Sequence, residues 1–341
     1  MKAARFHEHG GPEVFRYEDA PEPVVPPGGV LVRVRACALN HLDLWQRRGL
    51  ERVRIPMPHI SGADVAGEVV EGGDSGLAPG ARVLLQPGLS CGRCERCVAG
   101  EDNYCASYDV LGYQSAGGYA ERVTVPARNV VAIPDHIDFV TAAAFPLVFL
   151  TAWHMLVTRA RVRETDTVLV LAAGSGVGQA AVQIAKAAHA RVITTTRGSA
   201  KLERARALGA DLVVDPDQED LLTRVRQFTG GRGVDLVVEH IGQATWDKSL
   251  RCLARGGRVV TCGATSGFKT ELDLRHLFAR QLSIMGTYMG GKAELLRAAS
   301  LFFRGELKPV VDSTFPLSEA GQAHRRMEAS DRFGKIVLVV N

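Results

Sequence analysis

The sequence predicts an α/β protein with a doubly wound parallel sheet in the middle of the chain and a domain of short antiparallel strands around it. Three observations carry this. From about residue 148 apolar strands alternate with helical runs, a glycine-rich turn joins the first of these strands to its helix, and Gly/Pro clusters break up the residues before 148.

In chain order, 29–37 (GVLVRVRAC) and 64–71 (DVAGEVVE) mix Val and Leu with alternating polar residues, and PVVPPGG and GLAPGARV punctuate such runs; these read as short antiparallel strands. The rhythm then changes to TVLVLAA, a glycine cluster, QAAVQIAKAAHA with helical periodicity, and RVITTT, a strand–turn–helix–strand unit. KLERARALGA (helix), DLVVD (strand), LLTRVRQFTG (helix), VDLVVEHI (strand), WDKSLRCLARG (helix), RVVTCGA (strand) and LSIMGTYM (strand) continue it. Such alternation builds a mostly parallel sheet with helices on both faces. From about 292 a helix and a final strand, GKIVLVV, return to the first domain.

At 341 residues the chain exceeds what one hydrophobic core supports, so two domains are expected. With 46% hydrophobic and 23% charged residues the composition is that of a globular protein, and the net charge of +4 is scattered, with no run of five like charges to form a nucleic-acid arm. No stretch of 18 apolar residues suggests a membrane span, and MKAARFHEHGG lacks the apolar core of a signal peptide. We therefore expect a cytoplasmic protein acting on a small molecule, without nucleic-acid or membrane partners.

Four of the seven cysteines, Cys91, Cys94, Cys97 and Cys105, form C-x2-C-x2-C-x7-C, with Gly92 and Gly100 letting the chain wrap around a small centre. Four thiolates suit tetrahedral zinc with every position filled by protein, which makes the ion structural; an iron–sulfur cluster is the rival occupant. Cys37, Cys252 and Cys262 lie in or beside strands and read as buried small hydrophobes. His154, in a helical run after Trp153, reads as an interior histidine.

After the strand beginning at Thr167, Ala173-Gly174-Ser175-Gly176-Val177-Gly178 leads into a helix. Small residues there let the backbone approach a pyrophosphate at the helix N-terminus, so this is the expected dinucleotide (Rossmann) site. Past the next strand, where an Asp or Glu would bind the ribose hydroxyls of NAD, the chain reads 194-TTTRGSAK. Arg197, Ser199 and Lys201 suit a 2′-phosphate, predicting NADP(H) over NAD(H).

In this order these features resemble the medium-chain dehydrogenase/reductase superfamily, the zinc alcohol dehydrogenases and quinone oxidoreductases, over essentially the whole chain. Also supporting the resemblance are GGPEV, GGYAERVTVP at 117–126, AAAFPLVFLTAWH at 142–154 and the closing GKIVLVV. It implies a GroES-like β-barrel domain (1–147 and 292–341) carrying the structural zinc lobe, a Rossmann domain (148–291), an active site in the cleft between them, and a homodimer or homotetramer. It also implies that Thr151, Gly263 and Ala264 lie near the ribose and nicotinamide, and that Lys335 reaches a phosphate.

In the alcohol dehydrogenases of this superfamily three side chains hold a catalytic zinc. The matching positions here are Asn40, Ala63 and Leu147, and Leu42 replaces the hydroxyl residue of the proton relay. Asn40-His41-Leu42-Asp43 and Arg47-Arg48-Gly49 instead resemble the N-x-x-D and R-x-G of the quinone-reductase branch. The resemblance implies hydride transfer from NADPH to quinones or enones without a catalytic metal. Asn40 is then expected to bind the substrate carbonyl or the nicotinamide ribose, Trp45 to wall a flat substrate, and Asp43 to be a structural hydrogen-bond partner. Two alternatives stand beside this: a displaced catalytic zinc on His41, His59 and Asp64, giving an alcohol dehydrogenase, and an NADPH-binding protein without turnover.

Overall fold

The computed structural model describes residues 1–50 and 53–341. The chain folds into two compact units: Met1–Leu147 with Gly291–Phe303 and Pro309–Asn341, and Val148–Gly290 with Arg304–Lys308. The short piece 304–308 lies with the second unit.

The first unit is built on a sheet whose strands lie in the order Val311–Pro316, Lys335–Val339, Gly29–Ala38, Asp64–Glu71, Arg82–Leu85 and Val130–Ala132, with Arg122–Pro126 also paired to Gly29–Ala38. The long strand Gly29–Ala38 is the hub, because it runs antiparallel to three neighbours. Val30, Val32 and Val34 point into one core with Val65, Val69, Val83, Leu85 and Leu338, all at most 2% exposed. Each such side chain contributes about 1.5–3 kcal/mol of burial. Antiparallel pairing also fixes where chemistry can gather. The C-terminal end of Gly29–Ala38 lies beside the first residues of Asp64–Glu71 and of Lys335–Val339, so Asn40, Asp64 and Lys335 share one edge of the sheet.

The second unit is a six-stranded, wholly parallel sheet in the order Leu212–Val214, Arg191–Thr195, Thr167–Val170, Val234–Glu239, Leu253–Thr261, Ser283–Gly286. This is the 3-2-1-4-5-6 order of a dinucleotide-binding domain, with the reversal at Thr167–Val170, where its first helix, Gly176–Ala187, follows. Val168, Leu169 and Val170 are fully buried, as expected for a strand covered on both faces. The helix expected over WDKSLRCLARG stops at Cys252, because Leu253 already pairs with Val234. The register shift that follows absorbs Gly256, whose φ is +74°. The tail holds more than the expected helix and strand: Val311–Pro316 and the helix Ala320–Glu328 lie between them. Among the described residues no helix is long and apolar enough to cross a membrane.

Candidate functional site

At the shared edge of the first unit, Asn40, Asp64 and Lys335 are each at most 5% exposed. Lys335 Nζ donates to Asn40 Oδ1 at 2.6 Å and to Asp64 Oδ2 at 2.9 Å, and Asn40 Nδ2 donates to the same Asp64 oxygen at 2.9 Å. The other Asp64 oxygen accepts the Leu147 backbone N–H at 2.7 Å, at the start of the helix Pro146–Trp153. A carboxylate is favourable there because the helix dipole points its positive end outward. The three positions expected to match the catalytic-zinc ligands, Asn40, Ala63 and Leu147, meet at Asp64: Asn40 by its amide, Leu147 by its backbone, and Ala63 as its chain neighbour. The lysine expected to reach a phosphate has its ammonium committed inside this cluster.

A second polar layer lies behind it. Asn40 caps the helix His41–Arg48, and Asp43 Oδ2 accepts the Asn40 backbone N–H at 2.7 Å. Asp43 also accepts the Tyr119 hydroxyl at 3.1 Å; Tyr119 Oη lies 3.4 Å from His324 Nε2, and Arg47 Nη1 lies 3.2 Å from His324 Nδ1. Arg47, itself 1% exposed, reaches Glu328 and the Gly10 carbonyl. Arg47 can only donate to Nδ1, which leaves the His324 proton on Nε2, directed at Tyr119, and the bonds run in one direction onto Asp43. Burial pushes the Asp43 carboxyl up to about 6, against the pull of the Asn40 N–H, the Lys335 charge and Tyr119. Burial, reinforced by the Arg47 charge, pulls His324 down to about 3. Tyr119 and His324 carry no local signal of this role, because they meet from 205 residues apart.

Among the described residues His41, His59 and Asp64 are not gathered in metal-holding geometry. His59 is buried with Nε2 on the Gly112 carbonyl at 3.0 Å, and Asp64 is taken by Asn40 and Lys335. His41 lies edge-on to Trp45, ring centres 5.2 Å apart. Trp45 is half-buried on the helix that begins at Asn40. Among the described residues the one group of His, Cys, Asp or Glu with metal-holding geometry is Cys91, Cys94, Cys97 and Cys105, whose sulfurs lie within 4.8 Å of one another.

That lobe is a tight wrap. The pairs Cys91–Cys97 and Cys94–Cys97 have sulfurs 3.9 and 3.5 Å apart. Tetrahedral zinc with bonds of about 2.3 Å requires sulfurs about 3.8 Å apart, so the set fits. Gly92 and Gly100 turn the chain at φ +72° and +78°. Backbone N–H groups of Arg93 and Cys94 hold the Cys91 thiol below its ordinary range, favouring the ligating thiolate. Burial does the reverse for the other thiols: Cys37 goes well up, and Cys252 and Cys262 to about 12, which makes them poor nucleophiles.

In the second unit the glycine loop sits at the reversal of strand order. Ser175 caps the helix Gly176–Ala187 by accepting the Gly178 N–H at 2.8 Å, and the Gln179 N–H closes on the Ser175 carbonyl. The Gly176 and Val177 N–H groups remain outside the helical ladder, as an anion site requires. A Cβ on Gly178 would stand 2.1 Å from the Ala172 carbonyl oxygen, so glycine there allows the helix to sit against the strand end. Gly174 lies in the same turn. The Thr151 hydroxyl is buried without a hydrogen-bond partner, a polar atom that a bound ligand would satisfy. Gly263 and Ala264 follow the strand Leu253–Thr261, and His240, which no sequence motif marks, packs beside Gly263 with Nε2 2.9 Å from the Leu171 carbonyl oxygen and 3.4 Å from Ser175 Oγ.

Arg197, Ser199 and Lys201 occupy the turn and first helical turn after Arg191–Thr195. Arg197 Nε pairs with Asp217 at 2.9 Å while two-thirds exposed, and Asp215 accepts the Gly198 N–H at 3.2 Å. Acids that arrive from after the next strand thus share this patch with the expected bases.

Comparison with known proteins is consistent along the whole chain. A family model for an alcohol dehydrogenase GroES-like domain matches residues 26–135, and one for a zinc-binding dehydrogenase matches 176–304. The NAD-dependent alcohol dehydrogenase of Sulfolobus acidocaldarius is 34% identical, covering 100% of both chains. The quinone oxidoreductase of Homo sapiens is 29% identical, covering 100% of this chain and 98% of its own. Among solved structures, an NAD-dependent alcohol dehydrogenase superposes with a TM-score of 0.96 at 47% identity over 100% of both chains. A crotonyl-CoA carboxylase/reductase in complex with NADP gives 0.92 at 25% identity, over 100% of this chain and 95% of that one. The chain belongs to the medium-chain dehydrogenase/reductase superfamily, the zinc-containing alcohol dehydrogenases and quinone oxidoreductases, and is an oxidoreductase of that type.

Proposed function

We propose that the protein reduces quinones or carbon–carbon double bonds conjugated with a carbonyl, using NADPH and no catalytic zinc. The observation that supports this most is the Asn40–Asp64–Lys335 cluster. Where relatives would place metal ligands, this chain has an amide, a backbone N–H and an alanine around a buried ion pair. Quinones and enones are electrophilic enough for hydrogen-bond donors and positioning to suffice, whereas an unactivated alcohol needs a Lewis acid.

The reduced nicotinamide supplies a hydride when bound. The chain's own residues bind, orient and stabilise. The Gly174–Gly178 turn and the helix that follows hold the pyrophosphate, Thr151, Gly263 and Ala264 line the ribose and nicotinamide end, and Arg197, Ser199 and Lys201 take the 2′-phosphate. Asn40 donates to the substrate carbonyl oxygen, which gains negative charge as the β-carbon accepts hydride, and solvent provides the proton that completes the reduction. Trp45 offers a flat apolar wall. One zinc per chain sits on Cys91, Cys94, Cys97 and Cys105 and holds the lobe. The strand Ser283–Gly286 is an edge of its sheet with Ile284 37% exposed, and Phe278 and Tyr288, which flank it in the chain, are exposed as well; this edge is where a homodimer or homotetramer would join.

The test is NADPH oxidation by purified protein against quinones, enones, aldehydes and alcohols. Turnover confined to the first two supports the proposal, and cofactor binding without oxidation of NADPH by any acceptor defeats it. Preference for NAD(H) is the second reading of the cofactor site, favoured by Asp215 and Asp217 at the Arg197 turn; the ratio of kcat/KM for the two cofactors separates them.

A further inference from the structure

We infer that Lys335, paired with Asp64, is a positioning residue that fixes the orientation of the Asn40 amide, so that an N–H and not the C=O is offered to the substrate oxygen. This rests on the reductase reading above.

An asparagine amide has two N–H donors and one carbonyl acceptor, and its two ends are otherwise free to exchange by rotation. Here they are not. Oδ1 faces the Lys335 ammonium at 2.6 Å, and Nδ2 faces the Asp64 carboxylate at 2.9 Å. A flipped amide would set NH2 against the ammonium and C=O against the carboxylate, two repulsions in place of two charge-assisted bonds. With one Nδ2 proton on Asp64, a single N–H is left to donate elsewhere. An ammonium on Oδ1 draws electron density from the amide and strengthens that remaining donor, while the carboxylate on Nδ2 pushes the other way, so a fixed orientation rather than net charge is what the pair supplies.

The arrangement is also a costly way to stabilise a barrel. Lys335 and Asp64 are 3% and 0% exposed, and a buried ion pair is commonly no better for stability than apolar residues of similar volume. Its place on the Asn40 amide, at the edge of the sheet, points to a role in orientation. The position also separates this role from phosphate binding, because two of the three ammonium protons are engaged inside the cluster.

The test compares Lys335→Met, Lys335→Arg and the double variant Lys335→Met/Asp64→Asn with the full-length wild-type protein, using a cyclic enone and a quinone as acceptors. Cofactor affinity and melting temperature are measured alongside. Lys335→Met alone strands a buried carboxylate and is prone to misfold; the double variant removes both charges and keeps the test decisive. We expect the double variant to retain wild-type melting temperature and NADPH affinity. Its kcat for the enone should fall roughly 10–100-fold, less than the roughly 100–1,000-fold of deleting an oxyanion donor outright. KM should stay nearly constant, the quinone should suffer less because its reduced oxygen is a more stable anion, and Lys335→Arg should recover part of the loss. A folded double variant with kcat within twofold of wild type overturns the inference while leaving the reductase reading intact. So does a loss confined to NADPH affinity, which would place Lys335 at a phosphate. A wild-type protein that reduces no acceptor removes both.

Discussion

The Asp43–Tyr119–His324 chain makes a prediction in which two substitutions must move stability in opposite directions with pH. Asp43 has a folded pKa of about 6 against an ordinary 3.8, so the stability it contributes is fully present below 3.8 and is lost as pH rises through 6. His324 has a folded pKa of about 3 against 6.5, so its contribution is present above 6.5 and is lost as pH falls towards 3. Between pH 7.5 and 5 the unfolded chain protonates His324 and the native one does not, which costs about 2 kcal/mol at 1.36 kcal/mol per pH unit. Over the same interval native Asp43 takes up a proton that the unfolded chain does not, which returns about 1.4 kcal/mol. The two nearly cancel in the wild type. His324→Gln keeps an acceptor for Arg47 and a donor for Tyr119 but cannot titrate, so on acidification it should gain about 2 kcal/mol relative to wild type. Asp43→Asn keeps an acceptor for Tyr119 and should lose about 1.4 kcal/mol relative to wild type. Reversible urea unfolding at pH 7.5 and 5 reads both, and comparison with wild type cancels the other titrating groups. Two variants that shift together, or neither shifting, would refute the reasoning that burial sets these two protonation states.

Three further outcomes follow from particular contacts. Gly178→Ala places a Cβ 2.1 Å from the Ala172 carbonyl oxygen, so helix and strand end must part; stability should fall by about 1–3 kcal/mol and cofactor affinity with it, and a fluorescence titration with unchanged Kd would contradict the packing argument. Cys105→Ser should remove the zinc and make the 88–110 lobe the first site of limited proteolysis; a full metal count in that variant would show that the lobe is not the zinc site. Ile284→Lys puts a charge on the exposed edge strand where we propose that subunits join, and light scattering of wild type and variant should find an oligomer in the first and monomers in the second.

What could be read from the sequence was local. The cysteine lobe spans 15 residues and the glycine turn six, so their spacing alone encodes the geometry. The strands Gly29–Ala38, Asp64–Glu71 and Arg191–Thr195 each carry a signal within their own length. The partners of Asn40 had no such signal. Lys335 joins it across 295 residues and Asp64 across 24, a meeting created only by antiparallel pairing on both sides of one strand. The same holds for Arg47, whose expected place in an R-x-G motif gave no hint that it would be buried against His324, 277 residues away. His41, His59 and Asp64 looked like a metal set because each is a metal-binding type within four positions of Asn40 or Ala63, where ligands were expected. In the fold, His59 bonds the Gly112 carbonyl and Asp64 binds a lysine. The strand end after Arg191–Thr195 suggested a 2′-phosphate site because no acid follows it directly; Asp215 and Asp217 come from beyond the next strand.

The proposed hydride transfer uses no catalytic metal. It is tested most directly by counting zinc in the purified protein and, on the same preparation, measuring NADPH-dependent enone reduction before and after treatment with a chelator that spares the cysteine lobe. We expect one zinc per chain, lost in Cys105→Ser, and enone turnover unchanged by the chelator. Two zinc ions per chain, with chelation abolishing turnover while the lobe keeps its metal, would contradict it.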